Sequence, residues 1–184
     1  MSLAQEANKF SGAPIEFLLS PRPLHWVFKV SNLRSTVELL KVLGMRVLRH
    51  EEFESGCEAS CNGPYSGFWS KTMIGFGEEH TNFVLELTYN YGIDSYKRGN
   101  DLVAVLLPKY NSEGEDLEAK MLEEFPDYAD HKNSDGVYSL IDDDLLFYFG
   151  EHEGVHLNVS DLALSERYYK KLGMMGSPVP DKHG

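Results

Sequence analysis

Apolar and polar residues alternate through Leu24–Val30, so that His25, Val27 and Lys29 share one face of a strand and Trp26, Phe28 and Val30 the other. The spacing then turns helical after Asn32, an N-cap residue whose side-chain oxygen accepts a free helix N–H. An amphipathic helix of about three turns ends at Leu43-Gly44, where glycine suits the left-handed position after the helix. Three further strand patterns follow in MRVLRHEEF, KTMIGFG and NFVLELTY, with the turn-rich CNGPYSGFW between the first two. In the last of them Val84, Glu86 and Thr88 share a face opposite Phe83, Leu85, Leu87 and Tyr89. The heavier apolar faces are expected to pack on helices, which leaves His25, Lys29 and Glu86 on the open side with Asn90 just beyond. The order is strand–helix–strand–strand–strand, about residues 24–92.

A second, looser unit spans about 101–150. LVAVLLP is strand-like, GEDLEAKMLEEF is helical, and GVYSLI and LLFYFG are strands joined by a solvated turn at Asp142–Asp144. A third start is carried by an internal repeat. Lys29–Met45 (KVSNLRSTVELLKVLGM) and Asn158–Met174 (NVSDLALSERYYKKLGM) are identical at seven of seventeen positions, at an offset of 129. Asp161 stands at the N-cap and Leu172-Gly173 at the helix end. The expected organisation is an N-terminal extension over 1–23, one domain of two βαβββ modules over 24–150, and the start of a further module over 151–184. A lone strand and helix cannot bury their own apolar faces. The last segment is therefore expected to dock on the domain, to swap with a neighbouring chain in a homodimer, or to stand as a truncated remnant.

Composition narrows the partners. The net charge of −12 argues against a nucleic-acid footprint and against anionic membranes. No run of eighteen apolar residues occurs, so no membrane partner is expected. A few cations inside a cleft still suit a small anionic ligand. Cys57 and Cys61 are too few for a secreted disulfide scaffold, and the first residues resemble neither a signal nor a transit peptide. The expected compartment is the cytoplasm, with mitochondria left open.

The paired βαβββ modules, the VSN/VSD…LGM signature and the segment FVLELTYNYG resemble the glyoxalase I, or vicinal oxygen chelate, superfamily. The resemblance implies an α+β fold in which paired modules form a cup-shaped barrel. It also implies a divalent metal, zinc or nickel, held by one ligand from the first strand and one from the last strand of each module. In active members the metal polarises the hemithioacetal of methylglyoxal and glutathione while a glutamate moves the proton.

Carried onto this chain, the resemblance makes His25 and Glu86 the first module's metal ligands, with Glu86 the catalytic acid–base. Lys29 falls where an arginine grips the glutathione carboxylate, and Asn90 where an asparagine contacts the tripeptide. In the second module Ala104 and Tyr148 occupy the ligand positions. Ala104 cannot ligate, and Tyr148 is a poor ligand unless ionised.

The expected function is a glyoxalase-fold protein with a degraded metal site that binds a small molecule, such as a glutathione conjugate, or a protein partner. No cofactor is certain. The alternative is an active lactoylglutathione lyase, with metal completed across a dimer or by another ligand. Plainer readings make Glu86 and Lys29 a structural ion pair, His25 a hydrogen-bonded core histidine, His50 a surface group, and His152 and His156 ordinary strand histidines.

Overall fold

A computed structural model describes residues 23–56, 65, 67–139, 145–151 and 154–176. Cys57, Cys61, the Asp142–Asp144 turn and His152 lie outside these described residues. The first module is built as its pattern predicts: β1 (His25–Lys29), α1 (Leu33–Val42), β2 (Arg46–Phe53), β3 (Trp69–Gly75) and β4 (Val84–Asn90). The strands order as β1-β4-β3-β2, with β1 parallel to β4. The Asn32 side chain accepts the Ser35 N–H at 3.1 Å and so satisfies one open donor of α1. At the other end Gly44 takes φ 92°. Its N–H donates to the Lys41 carbonyl and that of Met45 to the Leu40 carbonyl. This paired closure needs the left-handed residue that glycine supplies.

The second module keeps β5 (Leu102–Pro108), α2 (Leu117–Glu124), β6 (Tyr138–Ser139) and β7 (Leu146–Gly150). Between α2 and β6, where the first module has its second strand, the chain makes a tight helical turn over Pro126–His131. Pro126 at its start and the charged run that follows offer no alternating apolar face for a strand. The sheet is completed from outside the module. β8 (Gly154–Leu157) pairs antiparallel with β5, giving the order β6-β7-β5-β8. Leu24–Asn158 forms one compact unit, and β8 belongs to it.

One apolar cluster joins the two sheets. Phe28, Val30, Ile74, Leu85 and Leu87 come from the first sheet and Leu39, Leu40 and Leu43 from α1 and its end. Val105, Leu107 and Phe147 come from the second sheet and Leu117 and Met121 from α2. The helix-covered faces of both modules thus meet in a single core. The faces carrying His25 and Glu86 on one sheet, and Ala104 and Tyr148 on the other, point away from it.

α3 (Leu162–Lys171) lies outside that compact unit. Its N-cap is the expected one, with the Asp161 side chain accepting the Leu164 N–H at 2.8 Å. Gly173 closes it with φ 80°, as Gly44 closes α1. The repeat is therefore a repeat of backbone geometry as well as of letters.

At the rim of the shared core, Tyr138 is buried and donates its hydroxyl to Glu118 at 2.6 Å, and Lys132 donates to the same oxygen at 2.6 Å. Burial pushes the Glu118 carboxyl up, but the Lys132 and Tyr138 hydrogen bonds outweigh it and hold it below the ordinary value. Burial and the Glu118 carboxylate both push the Tyr138 hydroxyl up. A carboxyl lowered by folding stabilises above its unfolded pKa of about 4.3, and that stability is lost as pH falls through the lower folded value. The Glu118→Gln variant should therefore lose less stability than the wild type between pH 7 and pH 3. Urea denaturation at the two pH values measures this; parallel losses would show that the contact does not contribute.

Candidate functional site

β4 runs through the centre of the first sheet, so its open-face residues are flanked on both sides. Glu86 neighbours Val27 on β1 and Met73 on β3, and Thr88 neighbours Lys29 and Lys71. Residues opposite each other in neighbouring strands point to the same face. His25, Lys29, Glu86, Thr88, Asn90 and Lys71 therefore form one surface, with Arg49 and Glu51 next to it on β2.

The sequence-derived residues are brought together here. His25 Nε2 stands 3.3 Å from Glu86 Oε2, with Glu86 8% exposed and the histidine at the sheet edge. The partner of Glu86 is thus His25, which corrects the plainer reading of a Glu86–Lys29 ion pair. Next to this pair, Arg49 donates through Nε and Nη2 to the two oxygens of Glu79 at 3.1 and 3.0 Å, and it also contacts Glu51. The hydrogen bond from Arg49 holds the Glu79 carboxyl below its usual range. Asn90 lies within β4, not beyond it, and its amide donates to Tyr96 Oη at 3.0 Å.

Sequence reasoning missed Thr88. Its hydroxyl is buried without a hydrogen-bond partner among the described residues. It lies between Lys29 and Lys71, and the Lys71 ammonium also reaches Glu51 at 3.2 Å. Leaving a buried hydroxyl unmet costs about 1–3 kcal/mol. A row of ammonium, hydroxyl and ammonium on one open face is chemically suited to a carboxylate or phosphate oxygen. The strand alternation that singled out Glu86 also marks Thr88, but register was needed to place it between two lysines.

The second sheet reproduces the geometry without the chemistry. Val27 lies beside Glu86 in the first sheet, and Leu106 lies beside Tyr148 in the second. By register Tyr148 stands where Glu86 stands, and Ala104 where His25 stands. Burial pushes the Tyr148 hydroxyl further up, away from the ionised form a metal would need. His156 pairs with Ala104, and its ring meets that of Tyr148 edge-on, 6.3 Å between centroids. Among the described residues, no three His, Cys, Asp or Glu side chains converge on a point that could hold a metal ion. A family-type site needs two ligands from each of two modules. Among the described residues one such pair is present, His25 and Glu86, while Ala104 and Tyr148 hold the second module's positions. The described residues alone therefore do not make up that four-ligand set.

A separate groove of about 340 Å³ lies on the helix side of the first sheet, lined in part by Val37, Lys41, Val47, His50 and Thr72. His50 Nδ1 is 2.8 Å from Thr72 Oγ1. His50 is exposed, as expected for a surface residue, and this bond ties it to the groove wall.

No family model matches the chain. The "Glyoxalase 1" protein of Caenorhabditis elegans is 41% identical over 173 residues, which cover 89% of this chain and 57% of that protein. "Glyoxalase domain-containing protein 4" of Rattus norvegicus is 62% identical over 91 residues, 49% of this chain and 30% of that protein. The chain thus spans little more than half the length of the first of these relatives. Among solved structures, glyoxalase I from Zea mays superposes with a TM-score of 0.60 over 82% of this chain and 54% of that one. At 24% identity this last likeness speaks to the fold alone. Together with the βαβββ register and the repeat, these similarities establish that the chain belongs to the glyoxalase I, or vicinal oxygen chelate, superfamily.

Proposed function

We propose that this chain binds a small anionic molecule, of the class of glutathione conjugates, on the open face of its first sheet, and that its own two modules do not perform metal-dependent lyase chemistry. The observation that carries this is the unmet Thr88 hydroxyl between Lys29 and Lys71. The cations offset a ligand carboxylate in an otherwise acidic protein, and the Thr88 hydroxyl, which has no partner among the described residues, donates to a ligand oxygen. Asn90 lies at the same end of the face, its amide bonded to Tyr96. His25 and Glu86 lie further along β1 and β4 and border the ligand's other end as a pair 3.3 Å apart.

Calorimetric titration with S-methylglutathione tests the reading. Binding should weaken about tenfold or more in Lys29→Ala, the loss expected for one charge-assisted hydrogen bond of about 1.5–3 kcal/mol. Binding should tighten in Lys29→Arg, since a guanidinium grips a carboxylate with two parallel bonds. Equal affinity in all three proteins would contradict it.

One observation favours a second reading. His25 and Glu86, from the first and last strands of one module, do stand side by side on the open face. In that reading the chain is part of a lactoylglutathione lyase whose remaining two ligands come from another module. When bound, the metal would act as a Lewis acid on the substrate's oxygens; His25 and Glu86 would be this chain's share of its ligands. Turnover of methylglyoxal with glutathione, lost in Glu86→Gln, would establish it.

A further inference from the structure

β2 does not keep strict alternation. Its pairing with β3 slips between Val47 and Arg49, where Leu48 is the extra residue. Without that slip Val47 would share a face with Arg49, and His50 would lie on the other. With it, Val47 pairs with Ile74 and His50 with Thr72, so both turn to the face that α1 covers. Bulges re-aim side chains in this way and gather beside functional sites. Here the result is the groove of about 340 Å³ between α1 and β2. Its residues all lie within the compact unit Leu24–Asn158. They sit on the face opposite His25 and Glu86, because Glu86 pairs with Met73 and Met73 with Arg49.

The groove has an apolar floor and a basic rim. Leu33 and Val37, one helical turn apart on α1, and Val47 on β2 supply the floor. Val47 is 38% exposed there, an apolar side chain left open to water. The His50 ring is fixed as a wall by its 2.8 Å contact with the buried Thr72 hydroxyl. Arg34, Glu38 and Lys41 form the rim. Glu38 is spent on Arg34, whose Nε it meets at 2.9 Å, whereas Lys41 makes no ion pair among the described residues. The rim is thus locally positive in a chain of net charge −12.

We propose that this groove is a second binding site, for a small monocarboxylic acid with an apolar tail. The tail lies on Leu33, Val37 and Val47 against the His50 ring and removes their apolar surface from water. The carboxylate pairs with Lys41. The volume falls at the low end of small-molecule pockets, about 300–1,000 Å³, which suits a short tail. A peptide strand added to β2 is disfavoured, because the bulge and the charges of Arg46, Arg49, Glu51 and Glu52 guard that edge. The site is independent of the open face: failure of S-methylglutathione to bind would refute only the proposed function.

The test is titration of the full chain with octanoate, followed by the chemical shifts of its backbone amides. Saturable shifts should gather at Val37, Lys41, Val47 and His50. Lys41→Glu should weaken octanoate binding about fivefold, since it removes one exposed attraction and adds a repulsion of similar size. Val47→Asp, which sets a carboxylate on the floor, should weaken it at least as much. Octan-1-ol, with the same tail and no charge, should bind more weakly than octanoate and with equal affinity in Lys41→Glu. Absence of saturable binding, or octanoate affinity unchanged in Lys41→Glu, would overturn the site. So would shifts centred on β1 and β4 that S-methylglutathione abolishes, which would place the acid on the open face. Should Val47→Asp fail to fold, Lys41→Glu decides, because Lys41 is exposed on α1.

Discussion

Truncating Phe147 to alanine should lower the unfolding free energy by about 3–5 kcal/mol and should unfold the first module along with the second. Phe147 is fully buried on β7, stacks on Tyr138 with ring centroids 5.4 Å apart, and meets Phe149 edge-on. Its loss opens a cavity in a core that Leu39, Leu40, Leu85 and Leu87 of the first module share. Close-packed interiors relax only in part around such a hole, so the cost exceeds the simple transfer of the ring to water. The coupling has a convenient reporter. The chain's two tryptophans, Trp26 and Trp69, both lie in the first sheet, whereas the substitution is in the second. Urea denaturation followed by tryptophan fluorescence should show the lowered midpoint in one transition that coincides with circular dichroism. A fluorescence midpoint that stays in place while a separate transition appears by circular dichroism would mean that the modules do not share their core.

A second large effect should be a gain. Replacing both His25 and Glu86 with leucine should leave stability unchanged or raise it by about 1–4 kcal/mol. Glu86 sits on the central strand with Val27 and Met73 beside it, a setting that solvates a carboxylate poorly. Its contact with His25 compensates only in part, since the histidine side chain is 37% exposed and its attraction is screened. Apolar side chains of similar size would continue the Met73 and Val84 surface. The single substitution Glu86→Leu leaves His25 without its carboxylate and should gain less than the pair. A residue pair retained at a cost to stability serves something other than folding. Should the double variant lose several kcal/mol, His25 and Glu86 are a structural clasp, and the functional reading of this face loses two of its residues.

Most of this architecture is legible from the chain because two periodicities do not overlap. Period two in Leu24–Val30 and Phe83–Tyr89, and helical spacing between Asn32 and Gly44, name β1, β4 and α1; they do not say that both faces of β4 are buried, Val84, Glu86 and Thr88 along with Leu85 and Leu87. Asn32 and Gly44 mark the ends of α1 because each meets a backbone requirement that few residues satisfy. The second module is less legible. Its missing strand is replaced by the Pro126–His131 turn, whose residues carry no pattern, and GVYSLI forms strand at Tyr138–Ser139, with Leu140 and Ile141 outside the described residues.

The pairing of two βαβββ modules was legible from the chain, and the two four-stranded sheets bear it out; which faces of the two sheets share one core was not. Strand alternation says which residues share a face but not which face meets which. That choice depends on how α1 and α2 fit together, a matter of packing with no sequence period. The same limit hid Thr88. Its parity was visible, but its place between Lys29 and Lys71 follows from two strand registers, one parallel and one antiparallel, that only the assembled sheet defines.

The central claim is that one chain presents a single His–Glu pair on an open anion-binding face and no second pair to complete a metal site. Its most direct test is metal content after dialysis against Zn²⁺ or Ni²⁺ and gel filtration, measured by inductively coupled plasma spectrometry on the wild type and on His25→Ala. The expected result is no ion retained in stoichiometric amount by either protein. A tightly held ion in the wild type, lost in His25→Ala, would contradict the claim.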